Sequence, residues 1–472
     1  MPSCAWRRDD VSMTTIIRSA PQLAATTPAR RDHYVDFLRV ASLGIVIIGH
    51  WLMAAVVWDN GHLSASNVLE STPGAAWLTW LFQIMPVFFV VGGFANAASW
   101  AGATRKGVPY GTWLASRLSR LVRPVLVFAV VWAAALLCLS MAGVGATSVG
   151  ASSIAQPLWF LAVYVGIVAV APVMVEAQHR WGWGVLFVLG AGVTVVDLAR
   201  WPLAVPYIGW LNLALVWLFV HQLGLAWRGG AVTSWSRQRA LAMGLAGLGA
   251  VVLLSQVGGY PRSMVGGLGE VRSNVFPPSL AMVALATWQF GLLLAVRPVF
   301  DRWLTRPRAS TAVLAANGLA MTVYVWHMTA LVLVAAIALP AGVLPQPPAG
   351  SVEWWALKPL WLTMPGIVLL ALVGLFAPVE LRAVAPQTHS RRRALTAALV
   401  TTVGIGLLAR KGFAGGATPW EVPFMAISLL AAGWWMLRTD GSSDAGSVAP
   451  HATTHGRGVH AWCRGGVPRT GC

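Results

Sequence analysis

The chain has 472 residues, of which 57% are hydrophobic and only 10% charged, whereas soluble domains carry about a quarter charged residues. This excludes an ordinary water-soluble globule, and apolar runs long enough to cross a bilayer core of about 30 Å recur along the chain. The net charge of +18 does not mark a nucleic-acid binder, because the basic residues lie between apolar segments rather than on one soluble face.

Residues 1–34 hold Arg7, Arg8, Arg18, Arg30 and Arg31 but no sustained apolar core. They are expected to form a disordered cytosolic tail rather than a secretory signal. Apolar helices are then expected near 35–57, 75–99, 121–142, 157–176, 183–199, 205–227, 240–257, 279–297, 311–339 and 358–378. These make residues 35–380 the ten-helix core of an all-α polytopic transmembrane bundle. Barrel strands would alternate with period two, and stretches such as Thr363 to Ala377 are apolar on all sides.

A weaker pair near 394–409 and 422–437 makes 381–438 an additional transmembrane helix pair, and 439–472 reads as a disordered cytosolic tail. This topology puts both termini on the cytosolic side of the cell membrane. The outer loops then hold only Arg200, Arg262, Arg272, Lys358, Arg410 and Lys411, and every other Lys or Arg except Arg39 falls on the inner side, the asymmetry expected of a membrane protein.

The first helix carries Asp36, Arg39 and His50. Eleven residues of α-helix bring Arg39 and His50 to within about 20° around the axis and about 16 Å along it. They share a face, and an ionisable group inside a span generally turns to the bundle interior, so one channel lined by both is the leading reading. Asp36, one turn below, is placed to hold Arg39. The plainer alternatives are a snorkelling arginine and a histidine bonded to a neighbouring helix.

After the second helix come Arg105, Lys106, Arg117, Arg120 and Arg123. The spacing of three aligns the last three guanidiniums along one helical side, suited to clamping the phosphates of a coenzyme A donor. An ordinary basic flank on anionic lipid is the competing reading. Pro157 to Leu161 opens the fourth helix, where a proline in the first turn and an aromatic belt explain most of the pattern. His221, beside Gln222, reads as structural. In the ninth helix Tyr324-Val325-Trp326-His327 supplies a second imidazole, which either orients an acceptor or relays a proton, or pairs structurally with a neighbouring helix.

No metal is expected. Cys4, Cys138, Cys463 and Cys472 lack ligand spacing, and His451, His455, His460 and Cys463 sit in a Gly/Ser/Thr-rich terminus. No Walker loop or dinucleotide fingerprint is present.

Taken together, Asp36 to His50, Phe88-Phe89-Val90-Val91-Gly92-Gly93-Phe94, Arg117 to Pro124, Trp159-Phe160-Leu161 and Tyr324 to His327 resemble the acyltransferase 3 family of bacterial membrane proteins, over roughly residues 30–380. The resemblance implies that Arg39 and His50 are the catalytic pair and that Arg117 and Arg120 are the paired arginines, with Arg123 beside them. It further implies transfer of an acyl group, often acetyl, from cytosolic acyl-CoA to a hydroxyl of a sugar, lipid or antibiotic. Acyl-CoA would be a co-substrate, with no permanently bound cofactor, and membrane lipids and the hydroxyl-bearing acceptor would be the other partners. Gly92 departs from the family's usual serine. The chain also lacks the extracytoplasmic hydrolase-like domain of some members, so the membrane core is expected to suffice or to work with a partner.

On this reading His50 serves as general base or as transient acyl carrier, and Arg39 positions the thioester or offsets developing negative charge. The rival is a secondary transporter, which predicts inverted repeats, and the two halves show no convincing match. A purely structural membrane protein leaves the shared face of Arg39 and His50 unexplained.

Overall fold

The computed structural model describes residues 32–141, 153–266, 272–382, 390–413 and 421–438. The metal-binding candidates of the C-terminal tail therefore lie outside the described residues, as do both expected terminal tails apart from 32–34.

Among the described residues the chain is helical except for one hairpin. Helix α1 spans His33–Met53 and passes directly into strands β1, Ala54–Asp59, and β2, His62–Asn67. Then follow α2 (Met85–Arg105), α3 (Tyr110–Met141), α4 (Trp159–Trp181), α5 (Gly184–Arg200), α6 (Asn212–Arg228) and α7 (Arg237–Gln256). The chain continues through α8 (Leu280–Leu304), α9 (Pro307–Gly318), α10 (Ala320–Ala338), α11 (Lys358–Leu381), α12 (Arg391–Lys411) and α13 (Glu421–Arg438). Ten helical segments among the described residues are long and apolar enough to cross a membrane.

The outer surface fits a lipid setting. Phe187 is 78% exposed, Leu375 68% and Leu245 67%, side chains that gain nothing from water but are at home against acyl chains. This is a multi-pass membrane protein.

Three departures from the expected helices have local causes. The first helix stops at Met53 because Asn60 and Gly61, both at positive φ, form the two-residue Asn-Gly turn that closes a hairpin, pairing Asp59 with His62 and Trp58 with Leu63. The expected helix 311–339 breaks at Leu319, whose φ of −114° leaves the helical region. The amides of Met321 and Thr322 are thereby freed, and the Glu380 carboxylate accepts both, at 3.1 and 2.8 Å, neutralising the orphan donors of a new helix start. Finally, the basic run 117–123 lies inside α3, whose 32 residues span about 48 Å, more than the bilayer core.

Close helix contacts carry the bundle. A side chain at Gly93 would run into the backbone carbonyl of His221, and one at Gly224 into that of Val90, so these glycines let α2 and α6 approach backbone to backbone. Phe89 stacks on Trp217 at 4.4 Å between ring centroids. The C-terminal pair packs on α3 and α4, where Phe413 meets the rings of Phe128 and Trp132.

Candidate functional site

Helix α1 starts where Asp32 accepts from the amides of Tyr34 and Val35, and it sets Arg39 near one end and His50 in its last turn. Helix α10, which starts anew after the break at Leu319, carries His327 to His50. His50 Nδ1 and His327 Nε2 are 2.9 Å apart, and the rings are tilted by only 14°. The other nitrogen of His327 meets the Tyr324 carbonyl.

That chain of contacts fixes the protons. A carbonyl oxygen only accepts, so His327 Nδ1 carries hydrogen; the neutral ring then offers a lone pair at Nε2, and His50 Nδ1 must donate to it. The lone pair of His50 is left at Nε2, the nitrogen a base needs. The assembly is held from behind by the Trp51 indole, which donates to the His327 carbonyl at 3.1 Å, and by Trp361, which donates to the Trp51 carbonyl at 3.0 Å.

Two cavities meet beside this pair. The first, about 470 Å³, lies toward the hairpin and is lined by His50, Gly49, Gln156, Asn67 and Glu70. The second, about 550 Å³, lies toward the other end of α1 and is lined by Arg39, Arg117, Arg120, Arg123 and Arg382. Leu43, Phe88, Phe160 and Tyr324 line both and form the partition between them. Tyr324 is fixed there by its hydroxyl, which donates to the Pro157 carbonyl at 2.5 Å.

The arginines are held in different ways. Arg39 donates to Asn317 Oδ1 at 3.3 Å, and Asn317 Nδ2 donates to Asp36 at 2.8 Å, so Asp36 supports Arg39 through an amide of α9. Arg117 donates to Asn96 at 2.9 Å, and Asn96 passes a hydrogen bond to His221 at 3.1 Å. Arg123 donates to the backbone carbonyl of Arg382. Arg120 is exposed within the second cavity.

Asp36, Arg39, His50, Arg117, Arg120, Arg123, Tyr324 and His327 thus fall in one connected region, but the single channel expected for Arg39 and His50 is not there: the two line different cavities. Reading the sequence missed Asn317, Asn96, Glu380, Phe160 as a wall of both cavities, and Tyr164. The ring of Tyr164 occupies the space beside Gly92, where an added side-chain carbon would lie 2.7 Å from Cε2. Among the described residues no group of acidic, His or Cys side chains has the geometry of a metal site.

A family model described as an acyltransferase domain matches residues 32–381, from the cap of α1 to the last residue of α11. The chain belongs to the acyltransferase 3 family. No curated protein and no solved structure matches the chain. Membership in the acyltransferase 3 family decides between the enzyme and transporter readings in favour of the enzyme, and it leaves α12 and α13 outside the matched region. For an acyltransferase, the useful features of this region are an imidazole with its basic nitrogen free and an arginine-lined chamber across a thin wall from it.

Proposed function

We propose that this acyltransferase moves an acyl group, acetyl being the simplest, from acyl-CoA in the arginine-lined cavity to a hydroxyl in the His50 cavity. The observation that carries the reading is the partition of Leu43, Phe88, Phe160 and Tyr324 shared by the two cavities. The basic end of the bundle faces the cytosol, in keeping with the distribution of Lys and Arg, and the acceptor is a sugar, glycolipid, surface polysaccharide or small metabolite hydroxyl.

In the reaction, His50 Nε2 takes the proton of the acceptor hydroxyl as its oxygen attacks the thioester carbonyl. The C–S bond breaks as the tetrahedral adduct collapses, and the coenzyme leaves as thiolate, with the imidazolium proton available to it. His327 supports the base by accepting from His50 Nδ1, which favours the imidazolium as it forms. Arg117, Arg120 and Arg123 hold the donor phosphates. Arg39 lies about 16 Å along the helix from His50, too far for both to touch one reacting atom, so its fitting role is to position the donor rather than to offset charge at the carbonyl.

The test is transfer of label from radiolabelled acetyl-CoA into the lipid, glycan and small-molecule fractions of membranes containing the wild type, His50→Ala or Arg39→Ala at equal protein levels. Label that depends on both side chains supports the reading and reveals the acceptor class. Identical fractions from all three and from empty membranes, across several acyl donors, reject it.

A further inference from the structure

A third cavity, about 990 Å³, opens at the basic end of the bundle and shares Arg39 and Arg117 with the arginine-lined cavity. Its walls come from α1, α2, α3, α6, α7 and α8, and they include Arg228, Arg237, Arg297 and the indoles of Trp227 and Trp235. The catalytic reading gives this space no task.

The charges of the cavity do not cancel. Asp32 and Asp301 both engage Arg297, at 2.8 and 3.1 Å, and Asp36 accepts from Asn317. Among the described residues no carboxylate lies within ion-pair reach of Arg228 or Arg237. Arg228 rests over the Phe94 ring at 5.8 Å, an arrangement that leaves its N–H groups able to turn to a ligand. Arg237 is exposed in the first turn of α7, where Ser236 caps the Arg239 amide at 3.3 Å and the start of a 20-residue helix adds its own positive end. Trp235, half-buried and stacked on Trp183, adds aromatic surface beside these cations. Two unpaired arginines, a helix start and an indole make a setting for a phosphate carried by an aromatic base.

Resting on the acyl-CoA reading, we infer that this cavity holds the 3′-phosphoadenosine end of the donor, with Arg228 and Arg237 on the 3′-phosphate and Trp235 against the adenine. The 5′-diphosphate then passes Arg39 and Arg117, the residues common to both cavities, to Arg120 and Arg123, and the pantetheine arm runs on from there through the arginine-lined chamber. The two cavities are therefore one binding site for a long ligand, bent at Arg39 and Arg117.

The experiment measures binding of acetyl-CoA and 3′-dephospho-acetyl-CoA to the full chain in detergent, by displacement of tritiated acetyl-CoA. The proteins are the wild type, the double variant Arg228→Ala/Arg237→Ala, and Arg120→Ala, each checked for a single size-exclusion peak. The wild type is expected to prefer acetyl-CoA by at least about tenfold, the weight of one charge-assisted phosphate contact. The double variant should bind both donors equally, at the level of the dephospho compound, while Arg120→Ala weakens both and keeps the preference. A wild type that binds both donors equally, or a double variant that keeps the preference, overturns the inference but leaves the donor assignment standing. Displacement by added phosphatidylglycerol in the wild type but not in the double variant assigns the cavity to a lipid head group and overturns it too. If the wild type binds neither donor, the acyl-CoA reading itself fails and the inference goes with it.

Discussion

His50 and His327 form a direct imidazole pair, 2.9 Å from Nδ1 to Nε2, and the Tyr324 carbonyl behind His327 sets which nitrogens carry hydrogen. Loss of His327 frees His50 to adopt either tautomer and to turn. His327→Ala should lower kcat for acetyl transfer at least about tenfold, less than the about 10²–10⁴-fold expected for His50→Ala. The KM for acetyl-CoA should stay unchanged, since His327 lines neither cavity. Steady-state kinetics in membranes checks both halves, and a change in KM with unaltered kcat would contradict the assignment.

Asn317 joins Arg39 to Asp36. Asn317→Ala removes both hydrogen bonds and loosens the guanidinium without touching the imidazole pair. The expected outcome is a KM for acetyl-CoA raised about 5- to 30-fold, the effect of about 1–2 kcal/mol, with kcat nearly unchanged. Donor titration at saturating acceptor gives the answer.

If the acyl group crosses the partition, as proposed, the partition sets how bulky a transferred group can be. Phe88 is half-buried and meets Phe160 edge to face at 4.8 Å, so trimming Phe88 opens space between the cavities with less disruption than trimming Phe160. Phe88→Ala should raise butanoyl transfer relative to acetyl by about tenfold, two methylenes at about 0.8 kcal/mol each. Competition between the two labelled donors measures the ratio, and an unchanged ratio would show that the wall does not select the acyl group.

Neighbouring glycines of α2 should differ in tolerance. A methyl at Gly93 meets the His221 backbone, whereas one at Gly92 meets the Tyr164 ring, which can shift. Overpacking typically costs about 1–3 kcal/mol. Gly93→Ala should therefore lower the detergent melting temperature clearly more than Gly92→Ala. Thermal unfolding followed by tryptophan fluorescence compares them, and equal melting temperatures would count against the backbone contact.

The transmembrane core could be read from composition because apolar length is a one-dimensional property, and the shared face of Arg39 and His50 followed from helical period alone. The partner of His50 did not: Asn317-Gly318 just before the break at Leu319 is a helix-stop signal, but a stop inside an apolar run does not say which helix the next segment meets. The hairpin did have a signal in Asp59-Asn60-Gly61-His62, hidden behind an apolar run that reads as one long helix. Asn317, Asn96 and Glu380 carry no motif of their own; each matters through a residue 58 or more positions away in the cases of Glu380 and Asn317, or through Arg117, 21 positions away, for Asn96.

The partition also has a kinetic meaning. On the proposed reading each substrate has its own chamber, so neither blocks the other's way in, and no product need depart before the second substrate arrives. Initial rates plotted against one substrate at several fixed levels of the other should give intersecting lines, the mark of a ternary complex, and a dead-end analogue of the donor should compete with the donor alone.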